Sequence, residues 1–170
     1  MEYRKNSMSR IADKVGRLPV GWRRPVLSMM FGKIVPFLST AGLRFEDVGH
    51  DKLTVSIRNR KKVQNHIRGV HAAAMALLAE TSTGFVVGMN MPDDKLMLLK
   101  SMKVNYVKRS QGDMRAVASL TPQQIQQMYE QDKGEVLVEV LVTDDSGESP
   151  IVCEMLWAWI PKKRPEASAA

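Results

Sequence analysis

From Val70 to Met91 the chain is apolar and small-sided, and a single carboxylate, Glu80, interrupts it. No Lys or Arg lies between Gly69 and Lys95. The run reads as one helix from about Gly69 to Val87, closed by Met91-Pro92-Asp93-Asp94. A helix that is apolar nearly all round must be covered on most of its sides. The flanking segments supply the cover, because they alternate with period two.

Leu53, Val55 and Ile57 alternate with Thr54, Ser56 and Arg58. A shorter strand is predicted before them, near Leu43 to Val48, with Asp47 to Asp51 as the turn. Leu96 to Val107 reads as a long strand. Arg109-Ser-Gln-Gly112 reads as a hairpin turn leading into a partner strand over Met114 to Leu120. Thr121-Pro122 starts a short helix through Tyr129. Val136 to Val142 and Ile151 to Trp159 complete the strands, with Asp144 to Gly147 between them. The expected class is α+β: a curled antiparallel sheet wrapped around one long apolar helix, preceded by N-terminal helices.

The predicted organisation is a basic helical extension over 1–42, packed on a domain over 43–161, and a frayed tail over 162–170. Within the extension, Ser9 is the expected cap of a helix ending near Pro19. A second helix is expected from Trp22 to Ile34, with Pro25 in its first turn. Its apolar stripe, Trp22, Val26, Met29 and Met30, is expected to pack on the domain. Contact with a membrane surface is the alternative left open.

Charge is uneven. Of a formal net charge of +7, residues 1–35 carry eight Lys/Arg against Glu2 and Asp13. The basic residues lack interleaved aromatics and any known module, so nucleic acid is not the expected partner. The one cysteine, Cys153, excludes an internal disulfide and reads as a small core residue. A reducing, cytoplasmic setting follows as the expectation. No uninterrupted apolar stretch approaches ~18 residues, so no membrane span is expected. Neither a leader nor a metal site is expected. Twelve methionines suit an adaptable apolar pocket or an irregular core.

Glu80 is where chemistry is expected. At ~100° per residue, Gly69, Ala73, Ala76, Glu80 and Thr83 or Gly84 share one side of the helix, and the other side carries Val70, Leu77, Leu78 and Phe85. Small neighbours leave room beside the acid for a partner helix, a second subunit or a thin substrate. At the helix start, His71 and Ala72 offer backbone N–H groups with no intrahelical acceptor, suited to a developing oxyanion. Asn65, just before, can hydrogen-bond a carbonyl or a water. Eight residues separate Ala72 from Glu80, or ~12 Å of helix. One carbonyl cannot be polarised at Ala72 and attacked beside Glu80 of the same helix. If both act, they come from two copies, which predicts a dimer with the site at its interface.

The pattern Asn65-x3-Gly69-x-His71, with Glu80 nine residues on and then Lys103 to Asp113, resembles the hotdog-fold acyl-CoA thioesterases. The phenylacetyl-CoA and 4-hydroxybenzoyl-CoA types are the most similar, over about residues 43–160, and the whole chain looks like a branch with extra N-terminal helices. The resemblance implies Glu80 as general base or nucleophile. It implies the Ala72 N–H, just after His71, as donor to the thioester oxygen, and Asn65 as the side chain orienting water or substrate. It places the phosphates of coenzyme A near Lys108 and Arg109, with Arg58, Arg60, Lys61 and Lys62 able to serve the same end. Coenzyme A enters as part of the substrate, with no separate cofactor, and the assembly is a homodimer or a dimer of dimers. Two positions depart from the family pattern: His71-Ala72-Ala73 stands where relatives read His-Gly-Gly, and Gly84 stands where some carry a hydroxyl. The Asp-x4-His pattern of hotdog hydratases is not seen. The other function kept open is a non-catalytic acyl- or lipid-binding protein.

Overall fold

The apolar run folds as a helix, and the alternating segments fold as strands around it. The computed structural model describes residues 2–162. In chain order the elements are α1 (Ser7–Gly16), α2 (Val20–Ile34), α3 (Pro36–Ala41), β1 (Leu43–Val48), β2 (Lys52–Ile57), α4 (Ala72–Asn90), β3 (Lys95–Tyr106), β4 (Met114–Ser119), α5 (Pro122–Glu130), β5 (Gly134–Asp144) and β6 (Ile151–Pro161). The strands form one six-stranded antiparallel sheet in the order β1-β2-β4-β5-β6-β3. The helix α4 packs against β2 through β6. Every residue from Thr81 to Asn90 is buried. By length and apolarity α4 would suit a membrane span, but most of it is buried inside the fold, as a core helix is.

The sheet order corrects one expectation. Arg109 to Gly112 is not a hairpin turn, since β3 pairs with β6 while β4 lies between β2 and β5. The connector instead crosses the β5–β6 turn. Val107 and Lys108 donate backbone N–H bonds to the Pro150 carbonyl, and Asp145 donates to that of Gln111. Alternation marks each segment as a strand but carries no information on which strand it pairs with.

Polar groups at the C-terminal end of α4 explain how the N-terminus is held. Asn6 Nδ2 donates to the carbonyls of Gly88 and Met91, both at 2.7 Å, where a helix end leaves acceptors unfilled. The Asn6 Oδ1 accepts the Ser9 N–H at 2.8 Å, and Ser9 Oγ accepts the Asn6 N–H at 2.9 Å. Asn6 is therefore the cap of α1, and Ser9, the residue expected in that role, is its reciprocal partner three positions on. Pro19 starts α2 at Val20, two residues before the expected start. Pro25 thus falls in the second turn and not the first.

Three aromatic rings weld α2 to the core. Phe31, Phe45 and Phe85 meet with ring centroids 4.7–4.8 Å apart, joining α2, β1 and α4. Beside them α2 closes the β1 edge of the sheet. Ser28 Oγ accepts the Phe45 N–H at 3.0 Å, and Arg24 Nε donates to the Glu46 carbonyl at 3.1 Å. Among the described residues the opposite edge, β3, pairs only with β6 and exposes Leu96, Leu98, Met102 and Tyr106. An uncovered edge of this length is one that proteins normally cover or pair. Cys153 is half-buried on β6, and burial pushes its thiol up to about 11, which suits packing and not nucleophilic work. Of the tail expected over 162–170, only Lys162 lies within the described residues.

Candidate functional site

The loop before α4 is built on Asn65. Its Oδ1 accepts the N–H groups of Ile67 (3.1 Å) and Gly69 (3.0 Å), and its own N–H donates to the Gly69 carbonyl at 2.9 Å. Arg68 takes a left-handed φ of 64° to close this turn. The oxygen of Asn65 is thus spent on the loop. Among the described residues its Nδ2 has no acceptor, so that amide group is what Asn65 can offer a substrate. The loop sits on the β3–β4 connector. Arg109 donates to the Ile67 carbonyl at 2.8 Å, and Ser110 Oγ is buried with no hydrogen-bond partner among the described residues. A Cβ on Gly69 would lie 3.0 Å from that Oγ, which is why the close approach takes glycine.

His71 begins α4 as its cap. Its Nδ1 accepts the Ala73 N–H at 3.1 Å, and its backbone N–H donates to the Val63 carbonyl at 2.7 Å. The His71 N–H, expected as an oxyanion donor, is therefore engaged. That leaves Ala72: its N–H donates to no group among the described residues, and Ala72 itself is exposed. The cap satisfies the amides on either side and isolates one donor at the positive end of the helix dipole. The Ala72 carbonyl in turn accepts from the Tyr106 hydroxyl at 2.9 Å.

Two turns into α4, Glu80 is half-buried. Burial raises its pKa above the ordinary carboxylate value, and a hydrogen bond from the Thr81 hydroxyl, at 3.4 Å, opposes this only weakly. No cationic side chain pairs with it among the described residues. Its helix side is the one turned toward β6 and β3. Thr83, on that side, accepts from Trp157 Nε1 of β6 at 3.0 Å. A Cβ on Gly84 would lie 2.7 Å from the Trp157 ring. This revises the expectation of open space along the small stripe: at Gly84 the space is filled by indole. Further on, Gly88 meets Met8 of α1 first and Met97 of β3 next. Glu80 and the free N–H of Ala72 thus lie on one helix, ~12 Å apart, on the flank nearest the open sheet edge.

The six basic residues divide. Arg58, Lys61 and Lys62 are exposed and without an acidic partner among the described residues. Lys108 pairs with Glu148, Arg109 holds the Asn65 loop, and Arg60 lies against Gly42 with a 3.4 Å bond to the Ala41 carbonyl. Arg58 lines a groove of ≈ 680 Å³ on the outer face of the sheet, with Arg24, Arg44 and Arg115 facing Glu46, Asp113, Asp144 and Asp145. That groove is charge-balanced and does not include Glu80. Tyr106 and Trp157 were not singled out by sequence reasoning. The only signal for Tyr106 is its place inside the Lys103 to Asp113 run.

The profile of a family described as "Domain of unknown function (DUF4442)" matches residues 23–160. No curated protein matches. Solved structures do. A Pseudomonas aeruginosa protein of unknown function, solved as a probable thioesterase, is similar at 23% identity and TM-score 0.72, covering 85% of this chain and 97% of its own. A Bacillus halodurans protein solved with CoA is similar at 20% identity and TM-score 0.63, covering 94% and 97%. A Haemophilus influenzae thioesterase is similar at 13% identity and TM-score 0.60, covering 76% and 86%. At these identities the likeness is one of fold: the chain has the hotdog fold, as the motif resemblance implied.

Proposed function

The chain belongs to the DUF4442 family, and from that premise we propose that it hydrolyses the thioester of an acyl-CoA or acyl-carrier substrate, with Glu80 as base or nucleophile. The observation that carries this is Glu80 itself, a half-buried carboxylate with a raised pKa and no counter-charge among the described residues. Such a group binds a proton more readily than an exposed carboxylate and can pass it on. As base it takes a proton from water while the water oxygen attacks the thioester carbon. The tetrahedral oxyanion accepts from the Ala72 N–H of a second copy. The C–S bond then breaks, and the thiol leaves with the proton Glu80 held. As nucleophile, the Glu80 carboxylate attacks the same carbon, the C–S bond breaks and the thiolate leaves to take a proton from solvent; water then cleaves the acyl–Glu80 anhydride, releasing the acid and restoring the carboxylate.

The second copy is required by the ~12 Å rise between the two groups. The open β3 edge supports a homodimer formed there, since pairing β3 with β3 sets two α4 helices side by side on one extended sheet. The free amide of Asn65 is then placed to orient water or the acyl carbonyl. Arg58, Lys61 and Lys62 are the cations left to meet coenzyme A phosphates, and the CoA held by the Bacillus halodurans relative supports that substrate class.

A thiol-release assay across aromatic, short and long acyl-CoAs, run beside Glu80→Ala, tests the proposal. Loss of hydrolysis in the variant is expected, and unchanged turnover removes Glu80 from the mechanism. One observation favours non-catalytic acyl binding: the methyl groups of Ala72 and Ala73 are exposed at the helix start, where the family pattern has glycines. A copurifying acyl ligand with no hydrolysis across the panel decides for that reading.

A further inference from the structure

The helix α2 is apolar on two opposite sides. Leu27 and Phe31 enter the core, 8% and 0% exposed. At ~100° per residue, Trp22, Met29 and Lys33 fall on the side facing away from Phe31, while Val26 is half-buried against the core. Trp22 is 68% exposed and Met29 53%. The bend into α3 extends the same kind of surface, with Ile34 at 51%, Val35 at 38% and Phe37 at 62%. A surface helix ordinarily turns charged and polar groups outward, and among the described residues nothing covers this apolar face.

Its surroundings are cationic. Across α1 to α3 there are six Lys/Arg and one acid, Asp13, which is already paired with Lys5 at 2.8 Å. Lys14, Arg17 and Lys33 have no acidic partner among the described residues. We propose that the Trp22–Phe37 face is a docking surface for an anionic lipid membrane. Trp and Met enter the interfacial layer, and the flanking cations meet the headgroups. Charge decides against a second copy as occupant. A two-fold contact through this face would set one cationic rim against another. The proposal stands independently of whether Glu80 is catalytic.

Trp22 is its own probe, because Trp157 and Trp159 are buried at 5% and 1%. With phosphatidylglycerol-rich vesicles, the full chain should co-sediment, and its tryptophan emission should shift to the blue. Pure phosphatidylcholine vesicles should give neither, and added salt should weaken binding. The double variant Trp22→Ser/Phe37→Ser should lose roughly tenfold or more in vesicle affinity at an unchanged melting temperature, since both positions are exposed. Equal binding by parent and variant, or no binding to either vesicle, overturns the proposal. So does concentration-dependent self-association that the double variant abolishes while vesicles are ignored.

Discussion

The Tyr106 hydroxyl donates to the Ala72 carbonyl at 2.9 Å, so the last residue of the open edge strand holds the first residue of the central helix. Burial raises the Tyr106 pKa, which keeps the phenol protonated and donating at any ordinary assay pH. The donor proposed for the oxyanion is thereby tied to the strand proposed to meet the partner. Whatever positions β3 across the interface also positions the Ala72 N–H.

Tyr106→Phe removes that tie without removing the ring. A lost hydrogen bond of this kind costs about 1 kcal/mol in stability. The larger effect is expected in kcat, because a helix start free to shift presents its N–H less accurately to the transition state. KM should move less, since the cations proposed to meet coenzyme A, Arg58, Lys61 and Lys62, lie elsewhere. A kinetic split in the opposite sense, KM raised and kcat intact, would assign Tyr106 to substrate binding.

Glu80→Gln should abolish hydrolysis and yet stabilise the fold at neutral pH. The folded-state pKa of Glu80 is raised, so the folded chain binds its proton more readily than the unfolded chain does. Stability is therefore highest below the ordinary carboxylate range and falls as pH rises through the raised value. Glutamine cannot ionise and escapes this loss. Thermal melts should show the variant above the parent near neutrality, with the gap closing as pH falls through the carboxylate range. In the parent, kcat/KM should rise with pH through the same window.

Much of this was legible in the sequence because hydrophobic period reports burial directly. The α4 core, the strands and the acid on its small-residue side all follow from which positions must leave water. Three things did not follow, each for its own reason. Strand pairing is decided by contacts far apart in the chain, so β3 could not be seen to pair with β6. The cap of α1 went to Asn6 because its amide also fills the acceptors at the end of α4, a contact across 82 residues. The room expected beside Gly84 is taken by Trp157, and a missing side chain in sequence does not say who fills the gap.

Gly84→Ala tests that last point. In an exposed helix, alanine for glycine gains about 1 kcal/mol. Here the added methyl lies 2.7 Å from the Trp157 ring, and that ring is fixed by its bond to Thr83. Overpacking a filled core costs about 1–3 kcal/mol, so a net loss of melting temperature is expected. A stabilised variant would mean that the indole moves aside easily.

Leu98→Lys with Met102→Lys places charge on the open edge, at side chains 51% and 47% exposed. The isolated fold has little to lose there, so the melt should change modestly. Pairing along β3 should fail, since lysines on an edge oppose strand addition. Sedimentation should shift from dimer to monomer, and hydrolysis should disappear with it. A monomeric but fully active variant would place the whole site within one chain.

Ala72→Pro gives the sharpest test of the divided site. Proline is favoured at the first position of a helix and lacks only the N–H in question. The preceding residue, His71, already has an extended backbone, φ −64° and ψ 143°, which is what proline requires of its neighbour. The fold should therefore survive while the oxyanion donor is lost. Alone, Ala72→Pro and Glu80→Ala should each be inactive. Mixed by co-refolding, half of the dimers are heterodimers, and each has one interface site with Glu80 from one chain and the Ala72 N–H from the other. Activity should return to about a quarter of the parent value, the statistical share for a two-fold dimer. If both groups act within one chain, no mixing ratio restores anything, because every helix then carries a defect of its own.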